Sequence, residues 1–184
     1  MTTSEKIQWC IEQHAKTNHF YDTYLPYEFH LRMVAQVAKD YQKIIEQSCE
    51  GDIQDAVETV VLAAYGHDLI EDTRTSYNDV KAVLGEAVAD IVYAVSNEKG
   101  KNRKERANDK YYTGIRDTPF AVFVKLCDRI ANVQYSKMTK SRMFEMYKKE
   151  NQEFGKSLGL AGEGVHYPGH PCFPVYAQLL ELLK

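Results

Sequence analysis

VETVVLAAY, residues 57–65, runs directly into GHDLIEDT, residues 66–73. The first stretch is apolar on nearly every side and predicts a buried helix. The second places His67, Asp68, Glu71 and Asp72 at the end of that helix. Carboxylates are almost never fully buried unless they are paired or hold a metal. If the helix persists, His67 and Glu71 are four residues apart and share a face. Asp68 lies three and four residues before Glu71 and Asp72, so those three cluster as well. Nitrogen and oxygen ligand types then project together from one helix end.

Working outward, the dominant signal is helical. Residues 3–16 form an amphipathic segment, followed by the aromatic-rich loop NHFYDTYLPY. Pro26 suits the first turn of a helix that continues to about residue 47. Asp52 is a good N-cap for the helix through residue 70. Thr75 or Ser76 caps YNDVKAVL, which Gly85 ends. EAVADIVYAVS is another apolar-faced helix, and the basic stretch NEKGKNRKER leads into a polar one. Asp117 or Thr118 caps a helix over PFAVFVKLCDRIANVQYS, with Pro119 in its first turn. MTKSRMFEMYKKENQEFGKSL is a further helix, residues 159–174 form a loop, and VYAQLLELLK closes the chain. Strand-like alternation and internal repeats are missing. The expectation is an all-α fold, one domain over 1–184 with about eight helices. The motif-bearing part covers about 5–140, and the helices of 139–184 pack on it.

Composition narrows the partners. A net charge of −3 argues against a nucleic acid polymer or an anionic membrane. No apolar stretch is long enough to span a bilayer. The N-terminus, MTTSEKIQWC, carries no signal-peptide core. Cys10, Cys49, Cys127 and Cys172 are far apart and form no CxxC pair, which argues against structural disulfides and a thiolate zinc site. The expected compartment is the cytoplasm, with reduced thiols. The sequence is compatible with a monomer or an oligomer.

The anomaly of 66–73 recurs twice. His30 lies in PYEFHLRMVAQVA beside an apolar stripe, and Asp128 lies in FAVFVKLCDRIANV inside an apolar run. Three separate helices each bring a metal-type ligand into apolar surroundings. One divalent cation gathered by His30, His67, Asp68 and Asp128 explains all three. Mixed imidazole and carboxylate ligation suits Mn, Fe, Zn or Ni. Simpler explanations exist for single residues. A lone helical histidine is more often a hydrogen-bonded core residue. Asp72 and Thr73 can cap the following helix, and Asp128 can pair with Lys125 or Arg129. None of these accounts for the set.

His30, the doublet His67-Asp68 and the distant Asp128 resemble the H…HD…D signature of the HD phosphohydrolases. HDLIEDT is similar to the HDxxEDT motif of the RelA/SpoT hydrolase domain, and VKLCDRIANV resembles that family's VKLADRLHNM. The intervening YNDVKAVLGEAVADIVYAVS is similar to the family's connecting segment, so the resemblance covers roughly residues 5–140. It implies a manganese-dependent hydrolase that removes pyrophosphate from the 3′ position of guanosine tetra- and pentaphosphate. It implies metal-ligand roles for His30, His67, Asp68 and Asp128. It gives acid/base and water-orienting roles to Glu71 and Asp72, and a place near the nucleotide to Asn132. The implied partner is a small phosphorylated nucleotide.

The chemistry also asks for phosphate-binding cations. Lys99, Lys101, Arg103, Lys104 and Arg106 are candidates, with a solvated helix face as the alternative for most of them. Lys125 and Arg129 flank the metal aspartate and are equally suited to ion pairs. His166, His170 and Cys172 read as part of a loop rich in Pro and Gly. Tyr21, Tyr24 and Tyr27 suit either a base pocket or core packing.

The chain departs from the family at the base-recognition rim. The family's Arg-Lys pair, eleven and ten residues before the first metal histidine, falls on His19 and Phe20. The family's RLHNMR reads RIANVQ here, with Gln134 in place of the last arginine. An HD-type nucleotidase or phosphatase for another nucleotide is therefore the second reading, and a non-catalytic nucleotide sensor the third.

Overall fold

Five of the ten longer helices described open on a residue whose side chain satisfies one of the first free backbone N–H groups. In the computed structural model, which describes residues 1–97 and 100–184 and only the backbone of 103 and 104, α1 (Thr3–Lys16) starts from a capping box of Thr2 and Glu5. A short antiparallel hairpin follows, β1 (Phe20–Tyr21) with β2 (Leu25–Pro26). It leads into α2 (Glu28–Asp40) and α3 (Gln42–Ser48). The Asp52 side chain caps α4 (Ile53–Gly66), and α5 (Leu69–Asp72) is a single turn. A second capping box, Ser76 with Asp79, starts α6 (Tyr77–Leu84). Gly85 at φ 102° turns the chain into α7 (Glu86–Val95), a conformation that few residues except glycine adopt readily. Then come the single turn α8 (Arg103–Arg106), α9 (Asp109–Asp117) capped by Asn108, and α10 (Ala121–Met138). α11 (Arg142–Ser157), capped by Ser141, and α12 (Phe173–Leu182) complete the chain.

The all-α class agrees with the expectation, and the boundaries differ in physical detail. Among the described residues there are ten helices of seven residues or more and two single turns, against an expected eight or so. The helix expected from Pro26 begins at Glu28, because Pro26 is paired with Phe20 across the hairpin. Asp22, at φ 58°, supplies the left-handed turn of that hairpin. The same helix is broken at Tyr41, and the break lays α3, with Ile45 1% exposed, against α4. α10 starts at Ala121 and is not capped by the side chain of Asp117 or Thr118. Asp117 ends α9, the Thr118 hydroxyl donates to the Gly114 carbonyl, and Phe120 enters α10 at φ 62°.

α10 is the axis of the packing. It contacts α2, α4, α7, α9, α11 and α12. Most of its length is buried, including Val124, Leu126, Cys127, Ile130, Ala131 and Val133. α2 and α7 both flank α4, and α6 folds back on α7 as a helical hairpin. α1 lies across α4 and α5. The ends of α2 and α4 and the middle of α10 therefore meet at one place.

Candidate metal centre and cleft

At that meeting point the apolar packing is interrupted by polar groups. His30, near the start of α2, and His67, the residue that ends α4, are each 1% exposed. Gly66, the last residue of α4, packs on α7. A Cβ at this glycine would come within 3.2 Å of Val92 Cγ2. The chain does not continue as the unbroken helix that would place His67 and Glu71 on one face. It bends at Asp68, at φ −102° and ψ 3°, before the turn of α5.

His67 Nδ1 is 2.8 Å from the Ala64 carbonyl, so that nitrogen is the donor and Nε2 faces inward. His67 Nε2 lies 3.3 Å from His30 Nε2, 2.9 Å from Asp68 Oδ2 and 3.8 Å from Asp128 Oδ1. His30 Nε2 lies 3.4 Å from Asp128 Oδ1 and 3.9 Å from Asp68 Oδ2. Ligands bonded at about 2.1 Å to one ion stand about 3.0–3.4 Å apart in octahedral or tetrahedral order. His30, His67 and Asp128 each bring one ligand atom within 4.8 Å of the others, a donor set that suits a small divalent cation, and Asp68 Oδ2 stands beside them, 2.9 Å from His67 Nε2. Their electrostatics point the same way. Burial opposes a charge on His67, yet Asp68 and Asp128 outweigh it and raise its pKa to about 9. The cluster draws a positive charge, which a metal ion supplies better than a proton.

Surrounding groups hold the carboxylates in place. Burial works against the charge of Asp128, but Lys125 and the two histidines keep its carboxyl well below the usual range. Lys125 Nζ donates to Asp128 Oδ2 at 3.1 Å, and Asn132 Nδ2 donates to Asp128 Oδ1 at 2.5 Å. Asn132 is in turn fixed by the Tyr21 hydroxyl, which donates to its Oδ1 at 3.0 Å. The Tyr27 hydroxyl donates to Asp68 Oδ2.

These residues floor a cleft of about 780 Å³ between α8–α9 on one side and α10–α11 on the other. His30, Asp68, Glu71, Lys125, Asp128 and Asn132 all line it. Glu71 is held beside the centre by Asn97, which donates to it from Nδ2 at 2.8 and 2.9 Å and from its backbone at 3.2 Å. Arg106 Nη1 lies 3.8 Å from Glu71. Asp72 faces the α1 side, where its Oδ2 is 3.8 Å from His19 Nε2. Burial, then the charges of Asp68 and Glu71, push the Asp72 carboxyl up to about 7. A carboxyl that holds its proton near neutral pH suits acid/base work.

Not every residue singled out in the sequence reaches the cleft. Neither Asp72 nor His19 is among the lining residues; the His19 ring stacks on Tyr27 at 3.9 Å. Lys99 lies outside the described residues, as do the side chains of Arg103 and Lys104. Lys101 is exposed, and of the described basic residues of that run Arg106 lines the cleft. Arg129 does line the cleft, but it is 8% exposed, packs on Tyr147 and Phe154, and pairs with Glu150 at 3.3 Å. His170 Nδ1 accepts from the Cys172 backbone, a contact internal to the loop. Sequence reasoning missed Asn97 altogether and left Tyr27 between pocket and core. Asn97 sits where α7 gives way to the basic run, with no local pattern to mark it. Tyr27 stands three residues before His30, and its partner Asp68 is 41 residues away.

Residues 27–133 match the sequence profile of the HD domain. The chain is 30% identical over 130 residues to guanosine-3′,5′-bis(diphosphate) 3′-pyrophosphohydrolase MESH1 of Danio rerio, across 71% of this chain and 66% of that protein. It is 31% identical over 77 residues to the Drosophila melanogaster protein of the same name, across 42% and 43%. It is 36% identical over 77 residues to the guanosine-3′,5′-bis(diphosphate) 3′-pyrophosphohydrolase of Aquifex aeolicus, across 40% of this chain and 11% of that one. The matches thus span less than two thirds of each relative's length. Among solved structures, a metazoan ortholog of SpoT that hydrolyzes ppGpp superposes with a TM-score of 0.64. That likeness covers 98% of this chain and 96% of the other at 20% identity, and it establishes a shared fold.

Proposed function

The chain belongs to the HD domain family, and from that premise we propose that it is a divalent-metal-dependent phosphohydrolase that removes pyrophosphate from the 3′ position of guanosine tetra- and pentaphosphate. The observation that carries this reading is the convergence of His30 from α2, His67 and Asp68 from the α4–α5 junction and Asp128 from α10, with His30, Asp68 and Asp128 lining an open cleft. Manganese is the proposed ion, with iron, nickel or zinc able to use the same mixed donors. A divalent ion bound there would lower the pKa of a water and neutralise charge on phosphoryl oxygens.

The remaining work falls to side chains of the chain itself. Asp72, with a carboxyl that holds its proton to about pH 7, exchanges a proton with the attacking water or the leaving group. Glu71, held by Asn97, orients the water on the cleft side. Asn132 and Lys125 keep Asp128 in one geometry and present their remaining surface to the nucleotide. Arg106 offers charge to an outlying phosphate. Phosphoryl transfer depends mainly on such positioning and charge stabilisation.

The enzyme is proposed to act in the cytoplasm, where its four free cysteines stay reduced. No described helix is long and apolar enough to cross a membrane. A second reading, an HD-type nucleotidase for another phosphorylated nucleotide, is favoured by one feature. His19 stands where the resembling family has a base-stacking arginine, and here it packs on Tyr27 instead.

The test is a screen of manganese-loaded protein against guanosine 3′,5′-bis(diphosphate), other 3′-phosphorylated nucleotides and simple phosphate esters. The expected result is pyrophosphate release from the first, abolished by a chelator and restored by manganese. Turnover of none of these compounds by metal-loaded protein overturns the enzymatic reading and leaves a nucleotide sensor.

A further inference from the structure

A buried polar cluster on the α1 side of the centre has no role in the reading above. His14, in the last turn of α1, is 1% exposed. Its Nδ1 lies 3.1 Å from His19 Nδ1. Its Nε2 is buried without a hydrogen-bond partner among the described residues. The His19 backbone N–H donates to the His14 carbonyl at 3.2 Å, which folds the chain back so that the two rings meet. Both rings stack on Tyr27, at 4.4 Å for His14 and 3.9 Å for His19. Their own centroids are 5.3 Å apart, too close for Tyr27 to lie between them. They therefore sit side by side on one face of Tyr27. The far nitrogen of His19, Nε2, is 3.8 Å from Asp72 Oδ2, within ion-pair reach.

Two facing Nδ1 atoms make a hydrogen bond only when one carries the proton and the other does not. Two arrangements are open to the neutral pair. If His19 donates, His14 must carry its proton on Nε2, which buries an N–H with no acceptor. His19 Nε2 is then bare and can only accept from the Asp72 carboxyl. If His14 donates, its bare Nε2 is the only unpaired atom, and His19 carries its proton on Nε2, toward Asp72. The His14 end selects the second arrangement, because the first buries an N–H with no acceptor among the described residues.

We infer that His14 and His19 are positioning residues for Asp72: His14 donates from Nδ1 and thereby holds His19 with an Nε2–H directed at the Asp72 carboxyl. This rests on the proposed acid/base role of Asp72. Around that carboxyl stand Asp68, Glu71 and His67 from the α4–α5 junction and Tyr27 from the start of α2. The two neighbouring carboxylates repel it, and the His19 N–H opposes them from the α1 side. The Tyr27 ring, which carries the pair, also gives its hydroxyl to Asp68, so one platform serves both carboxyls.

The first test reads the tautomers directly, in nitrogen-15-labelled, zinc-loaded protein by imidazole nitrogen–proton correlation. Protons on His14 Nδ1 and His19 Nε2 are expected, and the reverse assignment overturns the inference. The second test is kinetic, with guanosine 3′,5′-bis(diphosphate) as substrate. His14→Leu should lower kcat about tenfold, the lower end for loss of a supporting hydrogen bond, with KM and metal content unchanged. His14→Asn, whose amide can donate to the same nitrogen, should recover most of that loss. In an Asp72→Asn background His14→Leu should cost nothing further. A loss in kcat of equal size in both backgrounds marks His14 as merely structural and overturns the inference. Full activity in Asp72→Asn alone overturns the acid/base role of Asp72, a failure that the tautomer measurement keeps separate from that of the pair.

Discussion

The Nε2 atoms of His30 and His67 stand 3.3 Å apart, from side chains 37 residues apart in sequence. His67 meets the Ala64 carbonyl through its other ring nitrogen, which leaves its Nε2 free of the backbone. Two such atoms beside two carboxylates form a site for a cation.

Metal content follows from that relationship. The purified protein is expected to carry about one Mn, Fe, Ni or Zn per chain, in line with one closed set of four donors. His67→Ala and Asp128→Ala should each remove it, as measured by elemental analysis. Retention of full metal content in both variants would show that the ion, if bound, sits elsewhere.

Turnover should separate from binding at the next two carboxylates. Glu71→Gln and Asp72→Asn are expected to keep the metal and lose on the order of 100-fold in kcat, as for removal of a positioned acid or base. The two residues are held differently, Glu71 by Asn97 and Asp72 beside His19. Near-normal rates in both would reduce them to helix-end residues.

What could be read ahead of the structure was set by the range of the interactions. His30, His67 and Asp128 each contradict their own apolar neighbourhood, so each is visible from a dozen residues of sequence. The caps at Asp52 and Ser76 and the turn at Gly85 are equally local. The hairpin of β1 and β2 was not legible, because two-residue strands are too short to show a period of two. The close packing of Gly66 against Val92 joins residues 26 apart, and the place of Glu71 depends on Asn97, also 26 residues on. Long-range contacts of this kind leave no trace in the spacing of either partner. His19 was read by its position in a family pattern, whereas its ring is placed by His14 and Tyr27.

Acid should weaken the fold partly through His14. Burial is the main cause that depresses its pKa, from 6.5 to about 4. Folded protein therefore binds this proton less readily than unfolded protein does. The stability is present in full above pH 6.5 and drains away as the pH falls from there toward 4. The most this residue can contribute is about 3 kcal/mol, the free energy that separates a pKa of 6.5 from one of about 4. Urea unfolding of the metal-free protein across that range should show a shallower pH dependence in His14→Asn than in the wild type. Identical slopes would mean that His14 is solvated enough to titrate normally when folded.

Substrate choice turns on the rim. An arginine stacks a purine through a flat, permanently charged face. Here the equivalent His19 is occupied with Tyr27, and burial lowers its pKa, so it brings little charge near neutral pH. Phe20 is 51% exposed on the hairpin and offers a ring without charge. Base discrimination should therefore be weak, with kcat/KM for the guanosine and adenosine 3′,5′-bis(diphosphates) within about tenfold, or about 1.4 kcal/mol. Phe20→Lys restores a cation at the rim and leaves the centre untouched. It should lower KM for the polyphosphorylated substrates, with the gain fading as salt screens it. A wild-type preference for guanosine of a hundredfold or more would overturn this account. It would assign base reading to residues deeper in the cleft, with Asn132 the first to substitute.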